Sequence, residues 1–132
     1  MNRKFRVWDG KEMHEPPHDF LLSGDGVVWE GFGDEASSYA SAVRLLKFEP
    51  MLSTGLTDSE GTKIWEGDII GFKILGSMAH YLVAWHEKYG AWHCRAGNGE
   101  WMARLSVQLD KDDCTVNGNR HEDSELLGEP AK

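Results

Sequence analysis

The chain lacks most features that would assign it to a function class. Its two cysteines, Cys94 and Cys114, are too few for the disulfide framework of a small secreted domain. No apolar run approaches the ~20 residues of a membrane-spanning helix. The opening MNRKFRVWDG carries positive charge but no apolar stretch behind it, which argues against a secretory signal. The expected location is therefore the cytoplasm of the host cell. Basic residues are also scarce: 14 Lys and Arg stand against 22 Asp and Glu, for a net charge of −8. Arg3-Lys4-Arg6 is the single basic cluster, which is little for neutralising phosphates, so direct nucleic-acid binding is disfavoured. There is no internal repeat and no low-complexity linker, and 132 residues suit one domain over 1–132. Within it, residues 110–132 form an acidic C-terminal segment.

Reactive constellations are missing as well. His80, His86, His93 and Cys94 lie close in sequence, but neighbouring strand residues point to opposite faces. His93 and Cys94 therefore cannot serve one ion or one nucleophile–base pair, and His86 with His93 gives only two ligands. His14 and His18 have the spacing of a helical metal pair, yet Pro16 and Pro17 between them remove the helix. Gly31-Phe32-Gly33 and Gly97-Asn98-Gly99 lack the Lys-Ser/Thr ending of a phosphate loop. Cys94 shares a face with Trp92 and reads as a buried thiol, and Cys114 lies beside Asp112 and Asp113, which oppose thiolate formation. The expectation is no catalytic, cofactor-binding or metal residue, and no enzyme.

What the chain does have is glycine-marked turns between β-type runs. The stretch Leu52–Ile70, LSTGLTDSEGTKIWEGDII, is the most informative. Asp58-Ser59-Glu60-Gly61 predicts a type I turn with Gly61 at positive φ. Thr62–Trp65 reads as a strand, and Gly67-Asp68 opens the next. Asp68 is expected to accept backbone N–H groups of its turn rather than to act chemically. Further strands are expected at Phe5–Trp8 (a half-buried edge), Phe20–Leu22, Val27–Phe32, Met51–Thr54, Asp68–Leu75, Tyr81–His86, Ala91–Ala96 and Trp101–Val107. Ser23–Gly26, Glu87–Gly90 and Gly97–Gly99 supply hairpin turns. Tyr39, Ala40, Val43 and Leu46 fall at helical spacing, predicting a short helix within Glu35–Leu46, and Pro50 ends whatever precedes it. A closing helix is expected at 123–127, with Asp123 as N-cap. The fold class is mainly β: antiparallel strands with an SH3-like small-barrel core and one or two short helices.

These segments resemble the YopX family of phage and prophage proteins. Lys4-Phe5-Arg6-Val7-Trp8-Asp9 is similar to its opening K-F-R-A-W-D. Tyr81–Trp85 and Tyr89-Gly90-Ala91-Trp92 resemble its Val-x-Trp strand and Gly-aromatic pair, and Val116–Asn119 with Ser124–Leu127 its closing V-I-G-N…N-P-E-L-L. The likeness spans roughly residues 4–128. Departures are Glu60 in the usual Asn-Gly turn, Asn117 for an apolar residue and Ser124 for a Pro, while 29–50 matches poorly. The resemblance implies a homo-oligomer but no specific biochemical activity.

Six tryptophans are the remaining clue to binding. Trp85 and Trp92 should meet across one hairpin, and Trp65 and Trp101 on adjoining strands; most should be core, with one or two at a subunit interface. The tail from Asp110 carries seven acids (Asp110, Asp112, Asp113, Glu122, Asp123, Glu125, Glu129) against Lys111, Arg120 and Lys132. The expected function is a phage or prophage accessory protein working as a self-associating binding module. The alternatives are a host-directed antagonist or nucleic-acid mimic using the acidic surface, and a nucleic-acid-binding protein using Arg3, Lys4, Arg6 and exposed Trp. Possible partners are a second copy of the chain or a host or phage protein, with no membrane role.

Overall fold

The structure is a computed structural model, and it describes residues 5–14, 20–22, 28–30, 43–45 and 49–128. The chain divides into two compact units, 1–52 and 53–132.

In the first unit, β1 (Phe5–Trp8) pairs antiparallel with β2 (Met13–His14), Val7 opposite His14. The reversal is tightened by Asp9, whose Oδ1 accepts the amides of Lys11 and Glu12 at 2.7 and 2.8 Å. β3 (Phe20–Leu22), β4 (Val28–Glu30) and β5 (Val43–Leu45) form a three-stranded antiparallel sheet in that order. Val43–Leu45 is thus a strand where helical spacing predicts a helix. Register with β4 supplies its backbone partners, and β-branched Val43 favours extended backbone. The rest of that expected helix, the Ser23–Gly26 turn, the Pro16-Pro17 segment with His18, and Arg3-Lys4 lie outside the described residues. β6 (Glu49–Thr57) pairs through its first half with β1, Phe5 opposite Leu52 and Trp8 opposite Glu49. β1 is therefore flanked on both sides and is no edge strand, and Arg6 as well as Val7 is buried. Pro50 stands inside β6, opposite Val7, rather than before it.

In the second unit the later half of β6 pairs with β7 (Lys63–Trp65), Thr57 opposite Lys63. β8 (Asp68–Ile74), β9 (Ser77–His86), β10 (Ala91–Arg95), β11 (Trp101–Arg104) and β12 (Thr115–Asn119) make an antiparallel sheet ordered β11-β10-β9-β8-β12, curled as a half-barrel. Between β11 and β12 runs the helix α1 (Leu105–Lys111), and a 3-10 turn, Ser124–Leu127, closes the described chain. The core gathers Ile64, Ile70, Phe72, Val83, Cys94, Leu105 and Cys114, each at most 3% exposed. At ~25 cal/mol per Å2 of apolar area, this cluster supplies the main cohesion of the unit.

Helix α1 replaces what the sequence reads as the end of a strand. Leu105, Val107 and Leu109 alternate with polar residues and mimic a period of two, but Leu105 and Gln108 are the buried pair and Val107 is exposed. A spacing of three to four is the helical one. The closing 3-10 turn is where a helix is expected, but Asp123 makes no side-chain cap to it; Asp123 Oδ2 accepts the amide of Asn119 instead. Trp65 and Trp101 lie on strands that do not pair. Among the described residues no helix is long and apolar enough to cross a membrane.

Candidate functional site

The Leu52–Ile70 stretch is structural throughout. Gly61 takes φ +85°, and its amide donates to the Asp58 carbonyl at 3.1 Å, closing the expected turn. Asp58, 7% exposed, does more than open that turn. Its Oδ1 accepts the amides of Glu60 and Thr62 at 2.9 and 2.8 Å, and its Oδ2 accepts that of Val116 at 2.9 Å. One carboxylate thus ties the turn to β12, 58 residues away. Asp68, 1% exposed, accepts the Trp65 amide at 2.8 Å, the role the sequence assigns it.

β9 and β10 sort their side chains by face. On one face Trp85 opposes Trp92, rings edge-on at 5.1 Å, and Val83 opposes Cys94 in the core. On the other, His86 lies 5.0 Å from His93, 4.8 Å from Tyr89 and 4.3 Å from Trp101, and Arg95 stacks 4.4 Å over Trp101. His93 and Cys94 are therefore separated as alternation requires. The imidazole pair belongs to an aromatic cluster whose centre of charge is cationic. Desolvation first, then His93, Lys88 and Arg95, pushes the His86 pKa below its usual 6.5. Because folded His86 holds its proton more weakly than the unfolded chain does, the unfolded state gains protons first on acidification. Stability is then full above about pH 6.5 and falls as pH drops below it; thermal melts should show a decline from pH 7.5 to 5.5 that His86→Gln flattens.

The cysteines show no reactive setting. Burial pushes the Cys94 thiol up to about 12. Burial also raises Cys114, whose thiol donates to the Gln108 carbonyl at 3.7 Å. The acidic tail is partly spent on internal bonds. Asp112 accepts Gln108 Nε2, Glu122 accepts Asn119 Nδ2, and Asp123 accepts the Asn119 amide. Glu129 is outside the described residues.

The site that the sequence reading misses is the β8–β9 hairpin tip. Leu75 and Gly76 both have positive φ, +50° and +83°, the geometry of a two-residue type I′ turn. Such turns take Asn, Asp or Gly in the first position, whereas a leucine costs about 1–2 kcal/mol of steric strain there. Leu75 is also 101% exposed, with Ile74 and Met78 nearly half exposed on either side. Ile74 and Leu75 form one wall of a groove of about 420 Å3, whose lining also includes Phe72, Tyr81 and Met102, with Lys73, Lys111 and Asp112 among its polar residues. A signal was available in sequence: Ile-Leu-Gly-Ser-Met places an apolar residue where a tight turn wants Asn.

Comparison with known proteins fits this architecture. A family profile described as YopX protein matches residues 4–128. Among solved structures, protein yopX from Bacillus subtilis superposes with a TM-score of 0.61 at 18% identity, covering 96% of this chain and 99% of that one. Protein EF1440 from Enterococcus faecalis gives 0.59 at 24% identity, with the same coverage. No curated protein sequence matches. The two structures share the fold, and the match over 4–128 shows that this chain belongs to the YopX family.

Proposed function

We propose that this chain is a phage or prophage accessory protein of the host cytoplasm that acts by binding and assembly, associating with a second copy through the β8–β9 hairpin tip. The observation that carries this reading is Leu75, a fully exposed leucine kept in a left-handed turn. Neither burial nor backbone preference accounts for it, and strain of this kind is characteristic of working surfaces. The occupant is argued from self-complementarity. A two-fold interface presents the same patch on both partners, so the patch must hold both knob and recess. Here the Ile74–Met78 tip is the knob, and the groove that Ile74 and Leu75 wall on one side is the recess. Lys73 and Lys111 with Asp112 at that groove allow opposite charges to meet when two copies face each other.

The acidic surface supports the mimic reading less, because three of its carboxylates already serve Gln108 and Asn119. Direct nucleic-acid binding draws little from Arg6, which is buried.

Leu75→Asn separates fold from function. Asn tolerates positive φ, so the variant should be more stable by about 0.5–1 kcal/mol in urea unfolding. It should also associate at least tenfold more weakly by light scattering. A variant that melts higher yet associates like the wild type would sink the proposal.

A further inference from the structure

The turn between β1 and β2 gathers a donor set that the sequence reading passes over. The sequence offers His14 with His18, a pairing without helical geometry; the structure instead brings His14 to Asp9 and Glu12. His14 Nε2 is 2.7 Å from Asp9 Oδ2 and 3.9 Å from Glu12 Oε1, and the three ligand atoms all lie within 4.8 Å of one another. We propose that Asp9, Glu12 and His14 bind a first-row divalent transition-metal ion, with Zn2+ as its representative.

The distances fit that role. Zinc binds imidazole nitrogen and carboxylate oxygen at about 2.0–2.2 Å, which places tetrahedral ligand atoms roughly 3.4 Å apart. The observed separations bracket this value, so shifts of about 1 Å bring all three donors to one centre. The backbone has aimed the set beforehand. Two amides occupy Asp9 Oδ1, leaving Oδ2 directed at the imidazole, and the pairing of His14 with Val7 fixes where the ring starts. An ion pair between Asp9 and His14 needs no third donor, yet Glu12 brings its carboxylate to the same point. The chemistry selects the ion class. One imidazole and two carboxylates suit Zn2+ and its neighbours better than Ca2+, which takes six to eight oxygens. Side-chain exposures of 21% for Asp9, 35% for His14 and 72% for Glu12 leave the ion open to solvent, with water completing its coordination.

The test is calorimetric titration of the full chain with Zn2+. The wild type should bind one equivalent saturably. Glu12→Gln, at an exposed position that leaves the fold intact, should weaken binding about tenfold, and His14→Gln about a hundredfold. A His86→Gln/His93→Gln double variant should bind as the wild type does, which places the ion at the turn and not at the aromatic cluster. Circular dichroism checks that each variant is folded. Absence of saturable binding to the wild type overturns the proposal. So does wild-type affinity in either folded Glu12→Gln or folded His14→Gln, or loss of binding in the His86/His93 variant.

Discussion

Asp58→Ala should destabilise the protein by about 3–5 kcal/mol, read as a lowered midpoint in urea unfolding. The substitution strands three amide donors at once, those of Glu60, Thr62 and Val116, and hydrogen bonds to a charged acceptor contribute about 1.5–3 kcal/mol each. The upper end of that sum is not reached, because Glu60 is exposed and water can replace its bond. Asp58→Asn should cost less, about 1–2 kcal/mol. It keeps an acceptor for Glu60 and Thr62 but turns an NH2 group toward the Val116 amide. If the two variants were equally stable, the acceptor kept for Glu60 and Thr62 would carry no energy and the loss would lie in the β12 tie alone.

Among the described residues, Gly97→Ala should be the most damaging exchange of a glycine for alanine, at about 2–4 kcal/mol. Gly97 has no unusual φ; its reason is space. A Cβ there would overlap the backbone carbonyl of Leu127, and a carbonyl in a 3-10 turn cannot swing aside as a side chain can. Gly90→Ala is the matched control. Its φ is +58° but nothing lies within 4 Å of the added carbon, so it should cost only about 1–2 kcal/mol of backbone strain. Thermal unfolding of both orders the two mechanisms. A smaller loss at Gly97 than at Gly90 would mean that the Ser124–Leu127 segment does not pack there.

The contrast between these glycines explains how far the sequence could be read. Local chemistry was legible: Asp58 with Gly61, Asp68 before its strand, Gly97–Gly99 as a turn, and Trp85 opposite Trp92 all follow from residue type and a period of two. Features set by distant chain were not. Nothing in TDSEGT reveals that Asp58 reaches Val116, and nothing in Ala-Gly-Asn reveals Leu127 against Gly97. Alternation hid α1 because Leu105, Val107 and Leu109 satisfy a period of two as readily as Leu105 and Gln108 satisfy a helix. For Val43–Leu45 helical spacing was outweighed by pairing with β4. The hairpin tip was missed for another reason. Leu75 breaks a turn rule, and such a break has meaning only once its φ and exposure are known.

Self-association through that tip is the central claim, and sedimentation equilibrium of the wild-type chain at micromolar concentration tests it most directly. A mass of at least twice the 14.9 kDa chain, falling toward one chain on dilution or in the Leu75→Asn variant, is the expected result. A wild-type mass of 14.9 kDa at every concentration up to the hundred-micromolar range would contradict it.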